Sequence, residues 1–135
     1  TPQTVYIDDY AHHPAELEAA IGAAKMLFPT RKITGIFQPH LYTRTRDFAE
    51  SFAAALDMLD ECILLDIYPA RELPIPGVTS SMIAGLMKNK NTVLTSKSEL
   101  LNALKNKQIE VLMTMGAGDI DTMIGPIKTM LESKM

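Results

Sequence analysis

Within six residues the chain carries two carboxyls, a phenol and two imidazoles: Asp8-Asp9-Tyr10-Ala11-His12-His13, followed at once by Pro14. Such a group admits several chemistries. Carboxylates can hydrogen-bond a ribose or hold a metal, and an imidazole can touch a phosphate or carry a proton near neutral pH. The same residues also suit a polar turn in which Asp9 caps a helix. A zinc centre is disfavoured by spacing, because adjacent histidines point apart and no HxxxH or CxxC pattern supports them.

Three more segments stand out. In Gln38–Asp47 (QPHLYTRTRD), Arg44 and Arg46 fall at the predicted start of a helix, where cations oppose the helix dipole. An anionic ligand gripped by backbone N–H groups and guanidinium resolves that conflict. The competing account pairs both arginines with Asp47, Glu50 or other surface acids. The proline-rich run DIYPARELPIPGV offers Arg71 and Glu72 as a local ion pair that shapes a rigid loop. The turn GAGD can cradle an anion, but it lacks the GxGxxG spacing and follows the last predicted strand, so a dinucleotide fingerprint does not fit. Asp119 there reads as an N-cap. Met113, Met115, Met123 and Met130 read as core filling.

Short apolar runs alternate with helical patterns. Strands are predicted at Thr4–Ile7, Lys32–Phe37, Glu61–Asp66, Thr92–Leu94 and Ile109–Met113. Helices are predicted from Pro14 to about Leu27, over Asp47–Leu59 with Phe48, Phe52, Leu56 and Leu59 on one face, and over Ser80–Met87. Another is capped by Ser96 with Glu99 three residues on, and the last runs from Ile120 to about Leu131. This alternation implies βαβ units, and the unbroken apolar strands suit a sheet covered on both sides. The expected fold is one α/β domain, a single doubly wound, mostly parallel sheet with helices on both faces. In such sheets ligands bind beyond the carboxyl ends of the strands. All four unusual loops follow strands, whereas FPTRK and KNKNT at the other edge are ordinary.

Composition narrows the class. The length of 135 residues suits one domain with its own core, and 47% hydrophobic residues exclude a disordered tail. A net charge of −3 without a basic block argues against nucleic acid. The single cysteine, Cys62, cannot form an internal disulfide and reads as a buried thiol in a reducing, cytoplasmic setting. No apolar run nears the roughly 20 residues of a membrane span, and no signal peptide is evident. The opening TPQTVYID reads as mid-chain sequence, as expected for a domain cut from a longer protein.

IDDYAHHP, FQPHLYTRTRDF, DIYPARELPIPGVTS and GAGDI occur in that order, and together they closely resemble the C-terminal domain of the Mur ligases over nearly the whole chain. The pattern is nearest to the member that joins L-alanine to UDP-N-acetylmuramate. The resemblance implies a three-domain enzyme. One domain binds the UDP-sugar, a central one carries the P-loop and Mg2+, and a Rossmann-like lid (residues 1–135 here) closes over ATP and helps bind the amino acid. The N-terminal and central domains are absent from this chain, which has no GxxxxGK[ST] and alone is expected to be inactive and to hold no cofactor tightly. The resemblance assigns Asp9 and His12 to ATP, and Tyr10, His40, Arg44 and Arg46 to the substrate. Within that set Tyr10 and His12 face phosphates and the amino-acid pocket, and Arg44 is the candidate for the substrate carboxylate. His12 is a candidate base, and no metal ligand is assigned. Asp8, His13, Arg71 and Asp119 match without a role. Some relatives carry a second basic residue where this chain has Leu41, which shifts any shared grip to Arg44 or Arg46. The alternatives are the relative that reattaches recycled murein peptide, a non-catalytic nucleotide-binding module, and a receiver-like domain with Asp66 as acceptor. The last fails for want of a lysine after the final strand.

Overall fold

The computed structural model describes residues 4–89 and 91–133. Five parallel strands, β1 (Val5–Asp9), β2 (Ile33–Phe37), β3 (Glu61–Leu65), β4 (Thr92–Thr95) and β5 (Val111–Met115), form one sheet in the order β1-β5-β2-β3-β4. Five α-helices join them: α1 (Pro14–Leu27), α2 (Tyr42–Leu56), α3 (Ser80–Leu86), α4 (Leu100–Lys105) and α5 (Ile124–Ser133). Both faces of the sheet are covered, as the unalternated strands require.

Period-two geometry sends successive strand side chains to opposite faces. Ile33 and Phe37, Cys62 and Leu64, and Val111, Met113 and Met115 pack with Leu17, Ile21, Phe52, Leu56 and Ile83 from α1, α2 and α3. Ile36, Ile63, Leu65 and Leu112 pack with Leu100, Leu104, Ile127 and Leu131 from α4 and α5. Helices after β1, β2 and β3 therefore cover one face, and those flanking β5 cover the other. The chain reverses beside β5, so the loops after β1, β5 and β2 meet where their paths part, the place such folds offer to a ligand.

Several element boundaries differ from expectation. β1 runs on through Asp8 and Asp9, and β5 sits two residues later, because Asp8 pairs in register with Thr114 and Asp9 with Met115. The helix expected over Asp47–Leu59 is Tyr42–Leu56, kinked at Phe48. It starts early because a carboxylate from another loop caps it, as described below. The kink carries Phe48 out of the buried stripe onto the His13 ring, 5.2 Å between centroids. Ser96 holds the N-cap position of a 3-10 turn, Lys97–Glu99, that leads into α4, but its hydroxyl makes no cap bond and meets that of Ser98 at 3.0 Å. The last helix likewise opens with a 3-10 turn, Asp119–Met123. Met113 and Met115 are fully buried, and Met123 and Met130 pack against the second core.

Candidate functional site

The sheet's carboxyl edge gathers most of the predicted residues. Asp9 ends β1 and turns back on itself, its Oδ1 accepting the Ala11 N–H at 2.8 Å. With Tyr10, Ala11 and Glu16 it lines a shallow hollow beside α1. Asp8 is committed elsewhere, accepting the Thr114 hydroxyl at 2.7 Å. His13 is the N-cap of α1. Its Nδ1 faces the Ala15 N–H at 3.4 Å, and the Glu16 carboxylate accepts the His12 and His13 N–H groups, each at 3.1 Å. This is a capping box built on histidine, and those backbone bonds, joined by the charges of the two histidines, hold the Glu16 carboxyl below its usual range. Pro14 occupies the first turn, where no N–H is missed.

From β1's end a line of rings crosses to the next loops. Tyr10 and His12 meet edge-on at 5.4 Å, His12 and His40 edge-on at 6.1 Å, and His40 stacks on Tyr68 at 5.6 Å. His40 and Tyr68 belong to an isolated parallel bridge in which the Tyr68 N–H donates to Pro39 O and the Leu41 N–H to Tyr68 O, both at 2.8 Å. The loops after β2 and β3 are therefore laced together at the backbone.

Arg44 reaches the same cluster. Its Nη1 lies 3.2 Å from His40 Nδ1. A guanidinium only donates, so His40 Nδ1 is the acceptor and its proton sits on Nε2. Burial first, then the Arg44 charge, pushes the His40 pKa down, which agrees with a neutral ring. His12 has the opposite tautomer: its Nδ1 faces Tyr10 O at 3.0 Å and the Glu16 carboxylate at 3.4 Å, so Nδ1 holds the proton and Nε2 is left as an acceptor when the ring is neutral. The site thus presents one imidazole donor and one imidazole acceptor side by side. Among the described residues Arg44 has no carboxylate partner.

Other predicted residues lie apart. Arg46 points away and pairs with its neighbour Asp47, Nε to Oδ1 at 2.8 Å, as the ion-pair account held. It lines a hollow between α2 and α3 with Glu50, Ser81 and Met82. Arg71 is exposed and forms no ion pair with Glu72 among the described residues. Glu72 instead turns to α2, its Oε1 accepting the N–H groups of Tyr42 at 2.6 Å and Thr43 at 3.1 Å while its Oε2 accepts the Thr43 hydroxyl at 2.5 Å. The Thr43 hydroxyl leads the contacts that hold its pKa below the usual range. The supposed conflict at the start of α2 is therefore met by a protein carboxylate, and a ligand there is not needed to explain the arginines.

Asp119 is not an N-cap either; Gly118 takes that position. Asp119 accepts from Gln38 Nε2 through Oδ1 and from Lys97 Nζ through Oδ2, both at 2.6 Å, while Gln38 Oε1 accepts the Ile120 N–H at 2.9 Å. Burial works against ionisation there, but the bonds from Lys97 and Gln38 outweigh it and depress the Asp119 pKa. This clamp ties the loops after β2, β4 and β5. Gln38 opens a segment that the sequence singled out but was given no role of its own, and Lys97 carried no motif that would have marked it. Among the described residues no group of three or more His, Cys, Asp or Glu side chains is arranged to hold a metal ion. No helix is long and apolar enough to cross a membrane.

Comparison with known proteins bears on the family and the fold. The chain is 54% identical over 134 residues to UDP-N-acetylmuramate–L-alanine ligase of Porphyromonas gingivalis, covering 98% of this chain and 29% of that protein. It is 56% identical over 131 residues to the ligase of the same name from Parabacteroides distasonis, covering 97% and 28%. It thus spans under a third of the length of these curated relatives. The crystal structure of UDP-N-acetylmuramate–alanine ligase from Thermotoga maritima superposes with a TM-score of 0.76 at 29% identity, over 98% of this chain and 27% of that one. A murein peptide ligase from Psychrobacter arcticus shares the fold, with a TM-score of 0.75 at 15% identity over 95% of this chain and 27% of that one. The family described as "Mur ligase, glutamate ligase domain" matches residues 1–118, and the chain belongs to that family.

Proposed function

We propose that this chain is the C-terminal domain of an ATP-dependent ligase that adds L-alanine to UDP-N-acetylmuramate in peptidoglycan precursor synthesis. The UDP-sugar and P-loop domains belong to the rest of that protein, which works in the cytoplasm. The reaction transfers the γ-phosphate of ATP to the muramyl carboxylate, giving an acyl phosphate and ADP. The alanine amine then attacks the acyl carbon, the bond to the phosphate oxygen breaks, and inorganic phosphate leaves as the amine loses a proton.

The observation that carries this reading is the Tyr10–His12–His40–Arg44 cluster at the carboxyl edge, with a half-buried guanidinium that has no carboxylate partner among the described residues. Arg44 binds the alanine carboxylate, with His40 beside it offering a neutral N–H. Asp9 and His12 face the nucleotide. His12, whose Nε2 is an acceptor, can take a proton from the incoming ammonium. Positioned donors of this kind stabilise developing charge best where water is excluded, and an acyl phosphate needs the same protection. Closure of this domain over the centre supplies both. The sequence carries no P-loop motif, and this reading assigns the triphosphate and its metal to the central domain.

The test is kinetic, in the intact protein. Losing hydrogen bonds to a charged group costs about 1.5–3 kcal/mol, so Arg44→Ala is expected to raise KM for alanine roughly 10- to 150-fold. KM for the UDP-sugar stays nearly constant. Equal effects on both substrates would remove Arg44 from the amino-acid pocket. L-alanine as the preferred amine over a murein peptide is read from the same assay.

A further inference from the structure

The start of α2 has an unusual construction. Its N-cap residue, Leu41, has no side chain able to bond the first turn, and its backbone sits at φ 76, a region that costs a non-glycine residue strain. The first turn holds no acid of its own and contains Arg44. A helix start leaves up to four N–H groups without partners, and the positive end of the dipole repels cations. Left alone, this turn would fray, and Arg44 would go with it.

Glu72 supplies what the turn lacks. It comes from the loop after β3, 30 residues away in sequence from Tyr42, and takes two backbone N–H groups and one hydroxyl at 2.5–3.1 Å. The backbone bridge between His40 and Tyr68 fixes the same two loops to each other one turn earlier. Arg44 is the residue immediately after Thr43, and its guanidinium ends on His40, so both ends of its reach are set by this pair of loops.

We infer that Glu72 is a positioning residue for the amino-acid pocket: it caps α2 across the cleft edge and so holds Arg44 where a substrate carboxylate can meet it. The inference rests on the proposed role of Arg44 in binding the amino acid. Specificity for the amine substrate then depends on a residue that never touches it.

The experiment uses the intact ligase with Glu72→Ala, Glu72→Gln, Arg44→Ala and the Glu72→Ala/Arg44→Ala double variant. Loss of a helix cap predicts an increase in KM for alanine of roughly 2- to 30-fold in Glu72→Ala, with KM for ATP and for the UDP-sugar unchanged. Glu72→Gln keeps an acceptor oxygen and recovers part of the loss. The double variant is no worse for alanine than Arg44→Ala alone, since both changes remove one function. Hydrogen exchange of the segment over residues 41–45, followed by mass spectrometry, speeds up in Glu72→Ala. Independent, multiplying effects on KM would overturn the inference, as would unchanged exchange of that segment. Should Arg44→Ala itself leave KM for alanine untouched, the reading of the pocket fails. The exchange measurement still decides whether Glu72 caps the helix, and Glu72→Gln serves if Glu72→Ala does not fold.

Discussion

Gly118 is the tightest point of the site, and replacing it with alanine makes a quantitative test of how the loops are held. A Cβ built there would stand 2.6 Å from Gln38 Oε1, 2.6 Å from Tyr68 Cγ and 2.7 Å from Tyr68 Cβ. All three are under the closest approach such atoms make, so something must move. Tyr68 cannot swing away at the tip, because the clash is at the base of its side chain and its N–H and C=O are both bonded to the loop after β2 at 2.8 Å. Gln38 can move only by releasing the buried Ile120 N–H. Overpacking costs about 1–3 kcal/mol, and leaving a buried N–H unpaired about 1–3 kcal/mol; with partial relief of each by the other, about 2–4 kcal/mol is expected. Unfolding entropy of about 2.1 cal/mol/K per residue makes 1 kcal/mol worth about 3.5 °C in a chain of this size. Gly118→Ala should therefore lower Tm by about 7–14 °C in a circular-dichroism melt. Gly85→Ala, in α3 with open space around it, is the control: alanine favours the helix by about 0.5–1 kcal/mol and should raise Tm by about 2–3.5 °C. A Gly118→Ala melt within about 2 °C of the parent would refute this account of the packing.

Other consequences are simpler to check. Cys62 is fully buried in β3, and burial pushes its thiol pKa up to about 12; it should not react with a thiol reagent until the chain unfolds, and reaction at the rate of an exposed thiol would contradict its placement. The Asp119 pKa lies below its ordinary 3.8 because Lys97 and Gln38 hold the carboxylate against the pull of burial. The unfolded chain then binds the proton first as pH falls, so this contribution is complete above about pH 5 and is lost from there downward as pH passes through the depressed value. Asp119→Asn should reduce stability at pH 7 and flatten its loss below pH 4 in urea melts, and an unchanged acid limb would argue against the clamp. Calorimetry on this chain alone should find ATP binding no tighter than about millimolar, since its sequence carries no P-loop motif; binding well below that would contradict the assignment of the triphosphate to another domain.

The fold was legible because its signals are local. Alternating strands and helices, Pro14 opening α1, and uniform apolar runs in β3 and β5 each follow from propensity and burial within one segment. Boundaries failed where a distant group decided them. β1 extends through two aspartates because β5 lies alongside in register, and the polar side chains of Asp8 and Asp9 gave no hint of it. His13 became a helix cap, a role that serine, threonine, asparagine or aspartate fill more often, and only Glu16 three residues on pointed to it.

The start of α2 teaches more than a misplaced boundary. Two arginines without an acid in the first turn suggested a bound anion, and the premise was sound: that turn does need negative charge. One account took the charge from a ligand and the other from acids such as Asp47 or Glu50, and neither pointed to Glu72. Glu72 brings it from the next crossover, and a pairing across 30 residues leaves no periodic trace in a single sequence. The argument for Arg44 as a ligand residue changes basis accordingly. It no longer rests on the dipole, which Glu72 satisfies. It rests on a guanidinium that is half-buried, bonded to a neutral imidazole and without a carboxylate among the described residues, beside Arg46, which has one. The structure thereby separates the surroundings of the two arginines. Arg46→Ala should leave KM for alanine within about twofold of the parent, because breaking an exposed ion pair costs no more than about 0.2–1 kcal/mol and touches stability rather than the pocket. Losing the preference for alanine on removing Arg46 rather than Arg44 would invert the assignment.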